Sequence, residues 1–179
     1  MANYIAMLRG INVSGHKIIK MELLRASFAA LGFKNVKTYI QSGNVVFEAP
    51  KDSDASVSAK IERKILRDFG FSVPVFIRSA KEMEAVCAGN PFLKAPGMDQ
   101  TKFHVSFLSG DPLKGGHKEL EPLAAKTEQF RIIGREVYLY LPNGSGNSKL
   151  SNTAIEKKLS VGATTRNWAT VNTLLAMAR

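Results

Sequence analysis

The stretch from Leu8 to Phe47, LRGINVSGHKIIKMELLRASFAALGFKNVKTYIQSGNVVF, leaves the chain few ways to fold. An apolar strand from Tyr4 to Leu8 runs into Arg9-Gly10-Ile11-Asn12-Val13-Ser14-Gly15-His16-Lys17, where two glycines make a tight, exposed loop. Met21, Leu24, Phe28 and Leu31 recur at spacings of three and four, which predicts an amphipathic helix that Gly32 ends and Phe33 packs back on. Val36, Thr38 and Ile40 alternate with Lys37, Tyr39 and Gln41, and after Gln41-Ser42-Gly43-Asn44 a further β-rich run, Val45 to Phe47, begins. The order is strand, helix, strand, hairpin, strand. If the first strand points up, its helix runs down, the next strand comes up, and the hairpin turn lies beside the first loop. Arg9 to Lys17 and Gln41 to Asn44 therefore face each other. Polar loops converging at one end of a sheet are where binding is usually grafted, so Arg9, Asn12, Lys17, Ser42 and Asn44 are candidate ligand-binding residues. The competing reading is that the glycines only make turns and the asparagines only cap backbone.

Asp52-Ser53-Asp54 starts a second helix, with Val57, Ile61, Ile65 and Phe69 on one face and Gly70 as its stop. The strand Val73 to Ile77 contains Pro74, which places it at a sheet edge or makes Pro74 its first residue. This is the β-α-β-β-α-β order of a ferredoxin-like fold. Ser79 to Glu82 reads as a capping box opening a short helix to about Ala88, and the turns Gly89-Asn90-Pro91 and Ala95-Pro96-Gly97 mark the best boundary.

Beyond it, Phe103, Val105 and Phe107 alternate with His104 and Ser106, so His104 faces away from the phenylalanines. A loop from Ser109 to Gly116 and a short helix around Lys118 to Ala125 follow. Strands Gln129 to Ile133 and Glu136 to Leu141 flank the two-residue turn Gly134-Arg135. A helix spans about Leu150 to Leu159, and Thr164-Thr165-Arg166-Asn167 introduces a last helix whose Trp168, Val171, Leu175 and Ala178 share a face. The expected fold is α+β, with two ferredoxin-like halves, 1–90 and 91–179. The second half shows no clear last strand and ends in a helix. No residue-level repeat links the halves.

Charge narrows the partner. The chain carries 25 Lys and Arg against 15 Asp and Glu, a net charge of +10. The excess sits at the ends: six against two in residues 1–50 and four against one in residues 151–179. Such a balance favours phosphorylated or polyanionic partners, although a generally basic surface would look the same. There is no apolar run of membrane-span length and no secretory signal pattern, so a cytoplasmic protein is expected. One cysteine, Cys87, excludes an internal disulfide, and three dispersed histidines form no metal-ligand pattern. Neither metal nor cofactor is expected.

Gly10 to Lys17 superficially resembles a P-loop, yet His16 stands where that motif needs Lys, and Lys17 where it needs Ser or Thr. Asn143-Gly144-Ser145-Gly146-Asn147-Ser148-Lys149 is a glycine-rich loop entering a helix, whose N–H groups favour anions. Lys149 and Arg166 each fall in the first turn of an expected helix, where a cation opposes the dipole unless an anion compensates. Asn143, Ser148, Lys149, Thr165, Arg166 and Asn167 are therefore candidate ligand-binding residues, with Lys149 and Arg166 sharing one anion. In the alternative, both are merely solvated. There is no Cys-His pair, no Gly-x-Ser-x-Gly elbow, and no acid within these loops to act as a base. An RNA-recognition aromatic run is also missing.

The loop LRGIN-V-x-G, the following K-M-x-x-L-R and above all Thr38 to Phe47 resemble a largely bacterial family, domain of unknown function 1697. Similarity continues through Val137 to Gly144, Ser148-Lys149-Leu150 and Thr164 to Trp168. The resemblance implies an α+β fold and brings no established activity. The residues themselves point to a protein that binds a phosphate-containing ligand, either a nucleotide or nucleic acid. The alternatives are an enzyme acting on a phosphorylated small molecule and a basic protein-interaction module.

Overall fold

The computed structural model describes residues 1–179. In its first part, strands β1 (Ala2–Leu8), β2 (Lys34–Tyr39), β3 (Asn44–Ala49) and β4 (Val75–Ser79) alternate with helices α1 (Met21–Ala30) and α2 (Asp54–Phe69), and α3 (Ala80–Ala88) follows. The second part repeats the order with β5 (Phe103–Leu108), α4 (Gly116–Leu120), β6 (Gln129–Ile133), β7 (Glu136–Tyr140), α5 (Asn152–Leu159), β8 (Ala163–Asn167) and α6 (Trp168–Ala178). The two antiparallel sheets have matching strand orders, β2-β3-β1-β4 and β6-β7-β5-β8. These are two ferredoxin-like halves, and β4 is an edge strand entered through Pro74, as a residue without an N–H requires.

One element departs from the sequence reading. Ala163–Asn167 is a strand paired antiparallel with β5, so the second half does have its last strand, and Arg166 lies on it rather than in a first helical turn. Ala-Thr-Thr-Arg-Asn lacks apolar alternation, and its pairing with β5 decides the conformation.

Packing groups the chain into Met1–Ala85 with Thr173–Arg179, and Val86–Asn172. The division falls between Ala85 and Val86, a few residues ahead of the turns at Gly89 to Gly97. Thr173–Arg179 belongs to the first unit, where Asn3 Nδ2 donates to Ala178 O at 2.9 Å and Arg179 meets Glu84 at 3.3 Å.

In the first unit the helices pack Leu24, Phe28, Val57, Ile61 and Ile65 onto Tyr4, Ala6, Leu8, Val45, Phe47 and Ile77. Phe47 is the hub, with Phe33 stacked at 4.7 Å and Phe28 edge-on at 5.3 Å. The opposite sheet face, Ile5, Met7, Val46 and Phe76, is buried as well, which is why these strands read as continuous apolar runs. Local chemistry sets the helix limits. Ser53 Oγ accepts from Ser56 N, Gly70 closes α2 at φ 80°, and Ser79 and Glu82 form the capping box of α3 at 2.7 and 3.1 Å. No helix is long and apolar enough to cross a membrane.

The turn between β2 and β3 rests directly on β1. Leu8 N donates to Gly43 O at 2.8 Å, Gly43 has φ 88°, and a Cβ there would lie 2.8 Å from both Leu8 Cβ and Ile11 Cδ1. Gly43→Ala combines backbone strain with overpacking against a buried strand. It is expected to lower unfolding free energy by about 3 kcal/mol, read from urea denaturation midpoints.

Candidate anion-binding site

At the top of the first sheet the two loops do meet. Asn12 Nδ2 donates to Ile19 O at 3.0 Å and to Gln41 O at 2.8 Å, while its Oδ1 accepts from Ile19 N at 2.8 Å. Lys17 Nζ donates to Ser72 O, and Arg9 N to Pro74 O at 3.0 Å. Asn44 is buried, its Nδ2 donating to Tyr39 O and to Ser42 Oγ, both at 3.1 Å. The structure thus gathers Arg9, Asn12, Lys17, Ser42 and Asn44 at one end of the first unit. Asn12, Lys17 and Asn44 direct hydrogen bonds to backbone, fastening the loops to each other and to the start of β4.

The remaining candidates belong to the second unit, where strand alternation separates them. Thr165 and Asn167 stand opposite Ser106 and His104, and these last two stand opposite Val137 and Leu139 on the helix-covered face. Arg166 points to the other face. It is buried, with Nη1 donating to Thr164 Oγ1 at 2.8 Å and to Thr165 O at 3.0 Å, and loss of solvent brings its pKa down to about 10. Lys149 is exposed ahead of α5, whose N-cap is Ser151. A shared anion between Lys149 and Arg166 is thereby corrected: one precedes a helix and the other lies on the far side of a strand. Asn143 O accepts from Asn147 Nδ2 at 3.0 Å, and Ser148 Oγ from Leu150 N at 3.1 Å, so both shape the loop.

Thr165 and Asn167 instead open onto a cavity of about 370 Å³, lined also by His104, Ser145, Ser151 and Asn152, with Leu141 and Leu150 as apolar wall. Two helices begin here. Ser151 Oγ caps α5 by accepting from Ala154 N at 3.2 Å, and Asn167 Oδ1 caps α6 by accepting from Thr170 N at 2.8 Å. Thr165 Oγ1 donates to Asn152 Oδ1 at 2.6 Å. Both carboxamide oxygens are engaged, which leaves the NH₂ groups of Asn152 and Asn167 as what each can offer a ligand. His104 Nδ1 is buried without a hydrogen-bond partner. Burial, the largest influence, holds the His104 pKa below its ordinary value. The Lys102 backbone opposes this more weakly. Ser106, two residues along the same face, is fully buried with its hydroxyl unpartnered.

The equivalent place in the first unit has opposite chemistry. Tyr4 pairs with Ser79 as His104 pairs with Asn167, and Ser53-Asp54 opens α2 as Ser151-Asn152 opens α5. That cavity, about 410 Å³, is lined by Tyr4, Asp52, Asp54 and Glu82 beside Lys51 and Lys81. Asp52 is firmly ionised, its pKa brought down to about 2 by the hydrogen bonds of Ser56, Lys60 and the Ser53 backbone. Asp54 and Glu82 put acids in the first turns of α2 and α3, whereas α5 and α6 have none.

Sequence reasoning missed His104, Ser145 and Asn152. The available signal was alternation, which sets His104 and Ser106 in a column otherwise apolar at Val137 and Leu139.

Fold and site together define a duplicated ferredoxin-like protein whose second unit holds a polar pocket lined by no carboxylate. Over residues 1–138 the chain matches the family described as "Protein of unknown function (DUF1697)", and it belongs to that family. Among curated proteins none matches. Among solved structures, the conserved bacterial protein SP0830 from Streptococcus pneumoniae is similar at 22% identity and a TM-score of 0.74, over 99% of each chain. At that identity the likeness speaks for the fold.

The depressed His104 pKa has a consequence for stability. As pH falls through 6.5, the ordinary value, the unfolded chain takes up a proton on this imidazole before the folded one does. The unfolded state then holds more protons, so stability decreases as pH falls from 6.5 toward the folded pKa. Urea midpoints compared at pH 7.5 and 5.5 should show this fall, and His104→Gln should flatten it.

Proposed function

We propose that the second-unit cavity binds a small phosphate-containing ligand, such as a nucleotide or another phosphorylated metabolite. The observation that carries this reading is the meeting of two helix N-termini at one cavity with no acid in either first turn, where the equivalent helices of the first unit have Asp54 and Glu82. Helix N-termini present unpaired N–H groups and a positive dipole end, and an anion completes them. Donors dominate the rest of the lining: the NH₂ groups of Asn152 and Asn167, the hydroxyl of Ser145, and the imidazole of His104. A volume of about 370 Å³ suits a small molecule rather than a polymer. A ligand anion would favour protonated His104, supplying a charge-assisted hydrogen bond that the isolated site lacks.

The duplication supplies the test. Asn152→Asp installs at α5 the acid that α2 already has, and an aspartate oxygen can still accept from Thr165. The substitution is expected to leave the fold intact or raise its stability by about 0.3–1 kcal/mol. It should weaken binding of inorganic phosphate or adenosine monophosphate at least tenfold in calorimetry. Affinity unchanged by Asn152→Asp would refute the site. Sulfate, whose own charge is constant between pH 7.5 and 5.5, should bind more tightly at the lower pH in wild type and lose that dependence in His104→Gln.

A further inference from the structure

The loop pair of the first unit has features that the cavity does not use. Four non-glycine residues there adopt positive φ: Asn12 at 55°, Ser14 at 51°, Lys17 at 48° and Ile40 at 51°. Asparagine tolerates this region, and Asn12 is held by its three hydrogen bonds. Ile40 is β-branched, the least suited type, and its side chain gains little packing in return, since it is 52% exposed. Val13 and Ile18 on the facing loop are 56% and 59% exposed. Three large aliphatic groups are therefore presented to solvent on loops that Asn12, Lys17 and the Leu8–Gly43 bond hold in place. Strain retained where it yields no internal contact is a mark of function.

Charge identifies the occupant. Residues 9–20 carry Arg9, Lys17 and Lys20, and neither that loop nor the turn at residues 40–43 contains Asp or Glu. The next acid in the chain, Glu22, lies in the first turn of α1. We propose that this end of the first unit docks an acidic protein segment bearing aliphatic side chains, its carboxylates meeting the cations and its aliphatic groups covering Val13, Ile18 and Ile40. Bases would need exposed rings for stacking, whereas residues 9–20 and the turn at residues 40–43 contain no Phe, Tyr or Trp and Tyr39 beside the turn is half-buried. A lipid interface would favour Trp or Phe on the inserted side. Loops already fastened lose little freedom on binding, which suits a preformed docking face.

Random 16-residue peptides displayed on phage and selected on the full chain provide the test. Enriched peptides are expected to be net negative with at least two aliphatic residues. Synthetic copies should bind Ile18→Ser and Ile40→Gly at least tenfold more weakly, and Asn152→Asp as well as wild type. Because glycine accepts positive φ, Ile40→Gly should also raise Tm by about 3 °C, whereas an isoleucine kept for internal packing would lower it. No enrichment, enrichment without acidic bias, or peptides indifferent to both loop variants would overturn the proposal. So would a dT20 oligonucleotide or phosphatidylglycerol vesicles that bind wild type and lose binding in the same variants, assigning the face to nucleic acid or membrane.

Discussion

Each unit depends on one interaction, the hydrogen-bonded pairing of its first strand on both sides. β1 runs antiparallel to β3 and β4, and β5 to β7 and β8, so every other strand except an outer one is placed by reference to these two. Because β1 and β5 are central, their side chains are buried on alternate faces, and a substitution there reaches whatever lies above or below. This makes the identity of a few central residues decide what each unit can hold.

The two units show that rule with the same strand order and different chemistry. Tyr4 and Ala6 in β1 continue the apolar core beneath α1 and α2, and Tyr4 uses its hydroxyl to bond both Asp52 O and Asp52 N at 3.0 Å. His104 and Ser106 take those positions in β5 and leave buried polar atoms unpartnered. A buried polar group without a partner costs about 1–3 kcal/mol, so a column of this kind is expensive unless something completes it. The helix ends follow the same division, with carboxylates at α2 and α3 and none at α5 and α6. The polar column and the acid-free helix ends are thus independent departures from the first unit, and they are what the proposed anion rests on.

The loops above β1 are a different kind of departure. Asn12 and Asn44 are satisfied internally, and the cost is carried by backbone conformation and exposed aliphatic surface instead. A binding pocket and a docking face place different demands on a chain. On the two proposals, the pocket leaves donors unpaired, the docking face leaves apolar groups uncovered, and each demand falls on a different unit.

Much of this fold was legible in order. Spacings of three and four at Met21 to Phe28 and Val57 to Ile65, alternation in β5 and β7, and the punctuation of Ser53, Gly70 and Ser79 are local signals, and local energetics determine helices, caps and hairpins. The meeting of the Asn12 and Gln41 loops followed as well, since chain direction alone requires it. β8 did not follow, because Ala-Thr-Thr-Arg-Asn has no strand pattern of its own and takes its conformation from hydrogen bonds to β5, a partner some sixty residues away in the chain. The same non-local step moved Arg166 to the opposite face from Thr165 and Asn167, and drew His104 and Asn152 into one cavity. Sequence determined the basic charge and the elements other than β8. Which side chains share a space was decided by strand register, because a pairing across the sheet sets the face of every residue on both strands at once.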